Sequence, residues 1–538
     1  MGSRWQVAQV AVTSWLLLGW GSHVGAQSLP QLTPLETVTV EQFEVVGSTI
    51  FSPEQLAAVL APFQDRPLQM SELLQAADAI TRLYTESPAA YVTSGAFIPL
   101  EQPQPLDQPG SLQIQIQVVE GRLADIEVCG VAAEVSCPPI GRLDPGYVRQ
   151  RLALAGAAPL SLSQLQSSLE LLQLDPLIET ISAELSTGAE AGTSILNVQV
   201  QEAESFDLAL TLDNSRSPSV GSLRRQIQMQ ERNLSGRGDQ LDLGYANTDG
   251  SDSLELGYIL PINARNGTLG LNATISRSRI IEQPFDAVDI RSPAQSVELT
   301  LRQPIYQTPT RDWGAGLTFS HSASDTTLLG IPFQLSPGAD EAGRTRLSVL
   351  RAFVETLQRG SDQVLSARLT FSTGLDWLDA TRNPEPPDGR FVSLRGQGVY
   401  LYQFAPDHLI STRVDVQVAD RPLVGLEQFG LGGSDTVRGY RQNARLNNNG
   451  FFASVEWRYP LFQQDDQVLQ LATFLDGGRV WGRGSGDTLV GTGLGLIWRQ
   501  MNFDARLDIA LPLVDSDAAA PRSWQDNGLY FSVRYALF

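Results

Sequence analysis

Lysine is absent from this sequence of 538 residues, so all 38 basic side chains are arginines. That excludes a Walker-type phosphate loop and a Schiff-base mechanism, each of which needs a lysine amine. Histidine is scarce: after residue 26 only His321 and His408 occur, far apart, with no HExxH or CxxC nearby. A histidine-built metal or catalytic centre is therefore not expected, and neither an enzyme nor a cofactor is indicated. Charge is sparse as well, at 18% of residues, where about a quarter is usual. The net charge of −21 argues against nucleic acid as a partner, because phosphates would be repelled. No segment beyond the amino terminus reaches eighteen consecutive apolar residues, so no transmembrane helix is expected there. Barrel strands give a far weaker signal per segment and stay open as a possibility.

The amino terminus reads as a secretory leader over 1–26. Arg4 supplies the positive end, Val7 to Trp20 is largely apolar, and Val24-Gly25-Ala26 precedes a cut at Gln27. Export sends the two cysteines, Cys129 and Cys137, to an oxidising compartment, where a local disulfide is expected. A loop this small is worth roughly 2–3 kcal/mol in the chain-entropy model.

After a short lead at 27–37, residues 38–121 and 122–203 read as two copies of one α+β unit. The order in each is strand, helix, helix, strand, strand. In the first copy a strand at Val38 to Val46 precedes SPEQLAAVL, where Ser52 caps, Pro53 suits the first turn and Gln55 completes a capping box. SELLQAADAITRLY follows as a helix with Leu73, Leu74, Ala77, Ile80 and Tyr84 at helical spacing. Strands are expected at Ala90–Phe97 and Leu112–Val119. The second copy begins at LADIEV, starts a helix at Asp144-Pro145 and another near Ser163–Leu172, and ends in the strands ETISAEL and SILNVQV.

From Phe206 onward the helical period gives way to alternation over segments of about ten residues. In LISTRVDVQV, Ile410, Thr412, Val414, Val416 and Val418 share one face, while Arg413, Asp415 and Gln417 share the other. Sixteen strands are expected, starting near residues 206, 224, 240, 253, 267, 295, 313, 344, 363, 391, 408, 451, 468, 488, 501 and 529. Breaks after even-numbered strands are short, and the long ones, at 281–294, 325–343, 376–389, 421–449 and 513–528, all follow odd-numbered strands. Long loops on one rim and short turns on the other is the asymmetry of an outer-membrane barrel, which a soluble β-sandwich has no reason to keep. The chain ends on an aromatic, Phe538, as an outer-membrane assembly signal does, and this implies handling by the barrel assembly machinery. Strict alternation from Phe538 would turn Arg534 to lipid, so Leu529, Phe531, Val533, Tyr535 and Leu537 are the better outward set.

The 421–449 loop carries LGGSDTVRGYRQN. Two α+β repeats, a sixteen-strand barrel and this VRGY loop together resemble the two-partner secretion transporters, also called haemolysin secretion/activation proteins. The repeats look like POTRA domains, and VVEGRLADIEVCG is similar to the family's junction between its first and second POTRA. The resemblance implies two periplasmic α+β POTRA domains followed by a 16-stranded antiparallel transmembrane β-barrel, held by outer-membrane lipid. It implies export, without ATP, of a secreted β-rich exoprotein that the POTRA strands bind. It also implies that the VRGY loop (Val437, Arg438, Gly439, Tyr440) folds into the lumen, where Arg438 meets the Asp of an F-x-D-x-G strand. TFLDGGRVW supplies that strand through Phe474, Asp476 and Gly478. An arginine fork grips a carboxylate bidentately, and Gly432, Gly433 and Gly439 allow a tight turn near the wall. At about 4 Å in a partly wet lumen the gross attraction is roughly 4 kcal/mol.

Family members often begin with a pore-plugging helix. The 27–37 lead is too short for a helix and a return through the barrel, so a plug of that type is expected to be missing or reduced. Three rivals remain: a barrel assembly factor, which usually carries three or more POTRA units, a passive porin, and a soluble adhesin.

Overall fold

The computed structural model describes residues 37–102, 112–131, 137–464, 466–482, 484–515 and 523–538. The leader, all but the last residue of the lead, and the question of a plug helix lie outside them. The chain divides into two compact units that meet at Ala203 and Glu204.

The first unit contains both α+β copies. Strand β1 (Val38–Val46) is followed by α1 (Pro53–Leu60), β2 (Pro67–Leu68), α2 (Met70–Thr85), β3 (Gly95–Phe97) and β4 (Leu112–Val119). The sheet order is β2-β1-β4-β3, with β1 and β4 parallel. Helix α1 starts on a reciprocal capping box: Gln55 N donates to Ser52 Oγ at 3.3 Å and Ser52 N donates to Gln55 Oε1 at 3.0 Å. Helix α2 buries Leu73, Ala76, Ala77, Ile80 and Tyr84 against Val40, Phe43, Ile114 and Ile116 of the sheet. Burying a large aliphatic or aromatic side chain stabilises the fold by about 1.5–3 kcal/mol. Burial pushes the Tyr84 hydroxyl pKa up.

Two expectations need correction in this copy. Leu74 is 54% exposed, and the small Ala76 takes the inward position beside Leu73. The strand expected at Ala90–Phe97 is only Gly95–Phe97, because Ala90 adopts a left-handed φ of 49° and turn bonds occupy the preceding residues (Ala90 N to Ser87 O, Ser94 N to Tyr91 O).

The second copy runs β5 (Arg122–Gly130), α3 (Pro145–Ala153), α4 (Leu162–Gln173), β6 (Ile178–Thr187) and β7 (Thr193–Glu202), in the sheet order β5-β7-β6. Asp144 caps α3 by accepting from Gly146 N at 2.7 Å, and Ser161 caps α4 by accepting from Gln164 N at 3.3 Å. Its core joins Ile126, Val128, Leu152, Leu169, Leu196 and Val198.

The second unit is a closed antiparallel barrel. Its strands begin with β8 (Phe206–Asp213), β9 (Arg224–Glu231), β10 (Gln240–Asn247), β11 (Ser251–Pro261), β12 (Thr268–Arg279), β13 (Arg291–Gln307) and β14 (Arg311–Asp325). A small hairpin, β15 (Thr327–Leu328) and β16 (Ile331–Pro332), decorates the next loop. The wall continues through β17 (Arg344–Arg359), β18 (Gln363–Leu375), β19 (Val392–Ala405) and β20 (His408–Ala419). The VRGY loop follows, and it contains its own hairpin of β21 (Phe429–Leu431) and β22 (Arg445–Asn447). The last strands are β23 (Asn449–Gln464), β24 (Gln467–Gly482), β25 (Gly484–Gln500), β26 (Phe503–Pro512) and β27 (Leu529–Ala536). Without the two small hairpins, sixteen strands form the wall, and β27 pairs with β8 to close it.

Alternation sorts the two faces. Val418, Val455, Leu475, Leu494 and Ile509 are exposed on the outside, as a lipid-facing skin requires. On β20, Asp415 turns inward to Arg395 Nη2 at 2.7 Å, and Gln417 Nε2 donates to Glu427 O at 2.9 Å. On β27, Arg534 faces the lumen 3.7 Å from Asp207 while Tyr535 is exposed outside, which is the register of the better apolar set. His408 lies with Trp457 and Tyr459 in an aromatic group beside the short turn between β19 and β20. Aromatics of this kind form girdles at barrel rims.

Candidate functional site: the arginine cluster under the VRGY loop

Residues 474–480 of β24 alternate, so Phe474, Asp476, Gly478 and Val480 face inward while Leu475 faces out. The VRGY loop lies on this inner face. Val437 and Tyr440 join Phe429 and Leu431 of the loop hairpin with Phe452, Val480 and Leu489 of the wall in one apolar cluster. Gly478 admits the loop because a Cβ there would press on Phe451 O and the Leu431 side chain. Gly439, at φ +101°, passes so close to β26 that a Cβ would stand 2.9 Å from Pro512 N.

Arg438 is 2% exposed and Asp476 0%. Arg438 Nε donates to Asp476 Oδ2 at 2.7 Å and Nη2 to Oδ1 at 2.9 Å, a bidentate fork, and the Arg438 backbone N–H adds a bond to Oδ2 at 3.2 Å. The guanidinium lies 3.3 Å from the centroid of the Phe474 ring, a cation–π contact. Ser454 Oγ donates to Asp476 Oδ1 at 2.6 Å.

The pair is part of a larger cluster than a two-residue contact. Arg438 Nη1 also donates to Glu456 Oε2 at 2.8 Å, and Asp508 Oδ2 stands 3.8 Å away. Arg506 bonds Glu456 at 2.6 Å and Asp508 at 2.8 Å, and Arg458 bonds Glu456 at 2.9 Å. Three guanidiniums thus interleave with three carboxylates from β23, β24, β26 and the loop. Burial makes such a set strongly interdependent. Removing one partner of a buried pair costs about 3–5 kcal/mol, because the other charge is left uncompensated. The Arg438–Asp476 fork is fully buried, where the sequence suggested a partly wet lumen.

Tyr440 Oη lies 2.9 Å from Val490 O and 2.8 Å from Val514 O. Tyr530 Oη accepts from Gly439 N at 2.9 Å and donates to Tyr440 O at 2.6 Å. Elsewhere, Cys129 and Cys137 are joined in a disulfide with Cα atoms 4.9 Å apart. Phe538 is exposed beside Phe206, with ring centroids 6.1 Å apart. Glu456, Arg458, Arg506, Asp508 and Tyr530 were not singled out from the sequence. The available signal was a charged residue at an inward position between outward apolar neighbours, as in Val455-Glu456-Trp457.

Comparison with known proteins identifies the arrangement. The family model described as "Haemolysin secretion/activation protein ShlB/FhaC/HecB" matches residues 192–497, more than half of the chain, and "POTRA domain, ShlB-type" matches 38–121. Among relatives, the outer membrane transporter CdiB of Dickeya dadantii is 22% identical over 465 residues, covering 84% of this chain and 77% of the relative. The heme/hemopexin transporter protein HuxB of Haemophilus influenzae is 21% identical over 451 residues, covering 79% and 72%. The solved structure of CdiB from Escherichia coli superposes with a TM-score of 0.69 at 20% identity, over 96% of this chain and 93% of that one. BamA from Haemophilus ducreyi lacking POTRA domains 1–3 gives 0.53 at 14% identity, over 93% and 100%.

Proposed function

The chain belongs to the haemolysin secretion/activation family of ShlB, FhaC and HecB, and from that premise we propose that it exports a secreted, β-rich partner protein across the outer membrane through its barrel. The barrel spans the outer membrane and the POTRA units stand in the periplasm. The partner passes unfolded and without nucleotide, its folding outside preventing return. The reaction is transport and not catalysis. Lipid surrounds the apolar skin, and the barrel assembly machinery inserts the protein.

The observation that carries the mechanism is the buried fork between Arg438 and Asp476. A loop clamped on the inner wall narrows the lumen, so we read the contact as a latch that must open for passage. Its Arg438→Ala variant is expected to fold and insert but to lose at least ~10-fold of its export of the partner protein encoded beside it, since one lost buried partner is worth several kcal/mol. Wild-type export by that variant, at equal amounts in the membrane, would remove the latch from the mechanism.

For capture of the partner, β-strand addition needs a free edge. Sheet edge β2 is two residues long. On β3 the Ala96 amide is taken by Thr81 Oγ1 at 2.9 Å. On β5 the Ile126 carbonyl is taken by Arg149 Nε at 3.0 Å and the Gly130 amide by Pro138 O at 2.7 Å. On β6, which is ten residues long, the Ile178 amide at its start is taken by Asp175 O at 3.1 Å, and among the described residues nothing takes the outer backbone beyond it. The Glu179–Leu185 stretch of β6 is therefore the edge we assign to the partner.

A further inference from the structure

The VRGY loop is bonded to more than the wall that holds Arg438. Gln525, in the short helical turn Gln525–Asn527 ahead of β27, is 0% exposed. Its amide is used at both ends: Oε1 accepts from Gln442 N of the loop at 2.9 Å, and Nε2 donates to Asn214 O and, at 2.8 Å, to Arg216 O. Asn214 and Arg216 follow β8 directly. One side chain therefore joins the VRGY loop, the approach to the last strand and the end of the first strand.

Asn214, 2% exposed, carries the connection into the closing seam. Its Nδ2 donates to Leu529 O at 2.8 Å, its Oδ1 accepts from Phe531 N at 2.8 Å, and its own N–H donates to Phe531 O at 3.2 Å. These bonds prolong the β8–β27 ladder, whose backbone pairing covers only Ala209–Asp213 against Ser532–Ala536. Arg441 reinforces the same contact by pairing with Asp526 and, at 2.6 Å, with Glu282. A buried primary amide with every partner fixed tolerates no independent movement, because each broken bond leaves an unpaired polar group out of reach of water.

We propose that Gln525 is a positioning residue that couples the VRGY loop to the closing seam of the barrel. While the loop is seated, Gln525 holds Asn214 against β27. When the loop leaves, the seam loses its end support. The proposal rests on the reading that the loop moves during export, and it adds the element to which that movement is transmitted.

Hydrogen–deuterium exchange on the full chain in dodecyl maltoside micelles tests it. Gln525→Met removes both bonding functions at similar volume. Gln525→Glu keeps an acceptor for Gln442 N while giving up at least one donated bond to Asn214 or Arg216. With Gln525→Met, the amides of Ala209–Asp213 and Ser532–Ala536 should exchange about 10-fold faster than in the wild type, with the β17–β18 ladder unchanged. Gln525→Glu should loosen the seam and leave loop residues 437–442 at wild-type rates; it carries the test alone if Gln525→Met does not assemble. Wild-type exchange at the seam, or equal acceleration in every strand, overturns the coupling. The two readings fail separately. Normal export by Arg438→Ala with a loosened seam in Gln525→Met retires the latch and keeps the coupling; lost export with an unchanged seam does the reverse.

Discussion

Two arcs of the barrel differ in height and in what covers them. Strands β23, β24 and β25 have 16, 16 and 17 residues, whereas β27, β8, β9 and β10 have eight each. At a rise of ~3.4 Å per residue and a tilt of ~40°, the tall arc stands about 40 Å high and the short arc about 20 Å, against an apolar band of about 25 Å. The tall arc has backbone pairing to spare and presents the charged cradle on which the VRGY loop is packed. The short arc and the neighbouring β11 and β12 leave their inner face open: a cavity of about 550 Å³ is lined there by Gln228, Gln230, Asp242, Glu255, Asn272 and Thr274 among others. Regular ladder bonds supply a rigid anvil on one side, and charged and polar side chains line an open cavity on the other.

The sharpest way to break this contrast is Gly491→Val on β25. A Cβ at Gly491 would stand 1.9 Å from Arg438 O, so the loop could not seat on the tall arc. The variant is expected to lose about 3 kcal/mol of stability, as overpacking does, and to conduct ions continuously in planar bilayers. A quiet, wild-type pore would contradict the seating described here. Asp476→Asn should act in the same direction but more gently. The isostere still accepts a bond, and Arg438 retains Glu456 at 2.8 Å, so a cost of about 2 kcal/mol is expected, visible as a lowered midpoint of heat-induced unfolding. Glu255→Gln, on β11 beside the short arc, should change stability by less than about 0.5 kcal/mol while lowering the cation preference of any conductance. An unfolding shift larger than that of Asp476→Asn would mean that the open wall is as interlocked as the covered one.

Much of this was legible along the chain. Strand starts at 206, 224, 240, 344, 363, 408 and 529 coincide with those expected, because alternation and turn residues are local. The widest gaps are at β13 and β25, which begin at Arg291 and Gly484 where 295 and 488 were expected; both are long strands that run past the apolar band, where alternation fades. Arg438 and Asp476 could be paired because a family motif marks each of them. Glu456 and Asp508 could not, since they come from β23 and β26 and meet Arg438 only after the wall curves round the loop. Gln525 and Asn214 are 311 positions apart, and only closure of the barrel makes them neighbours.

The absence of lysine has a practical consequence for the lumen. Every cation there is a guanidinium, which stays protonated at any pH a cell surface meets. Alkaline conditions therefore offer no route to releasing the loop. Amine-directed cross-linkers find no side chain on this protein to react with, so amines supplied by a passing polypeptide would be labelled against no more than the signal of the chain's own terminal amine.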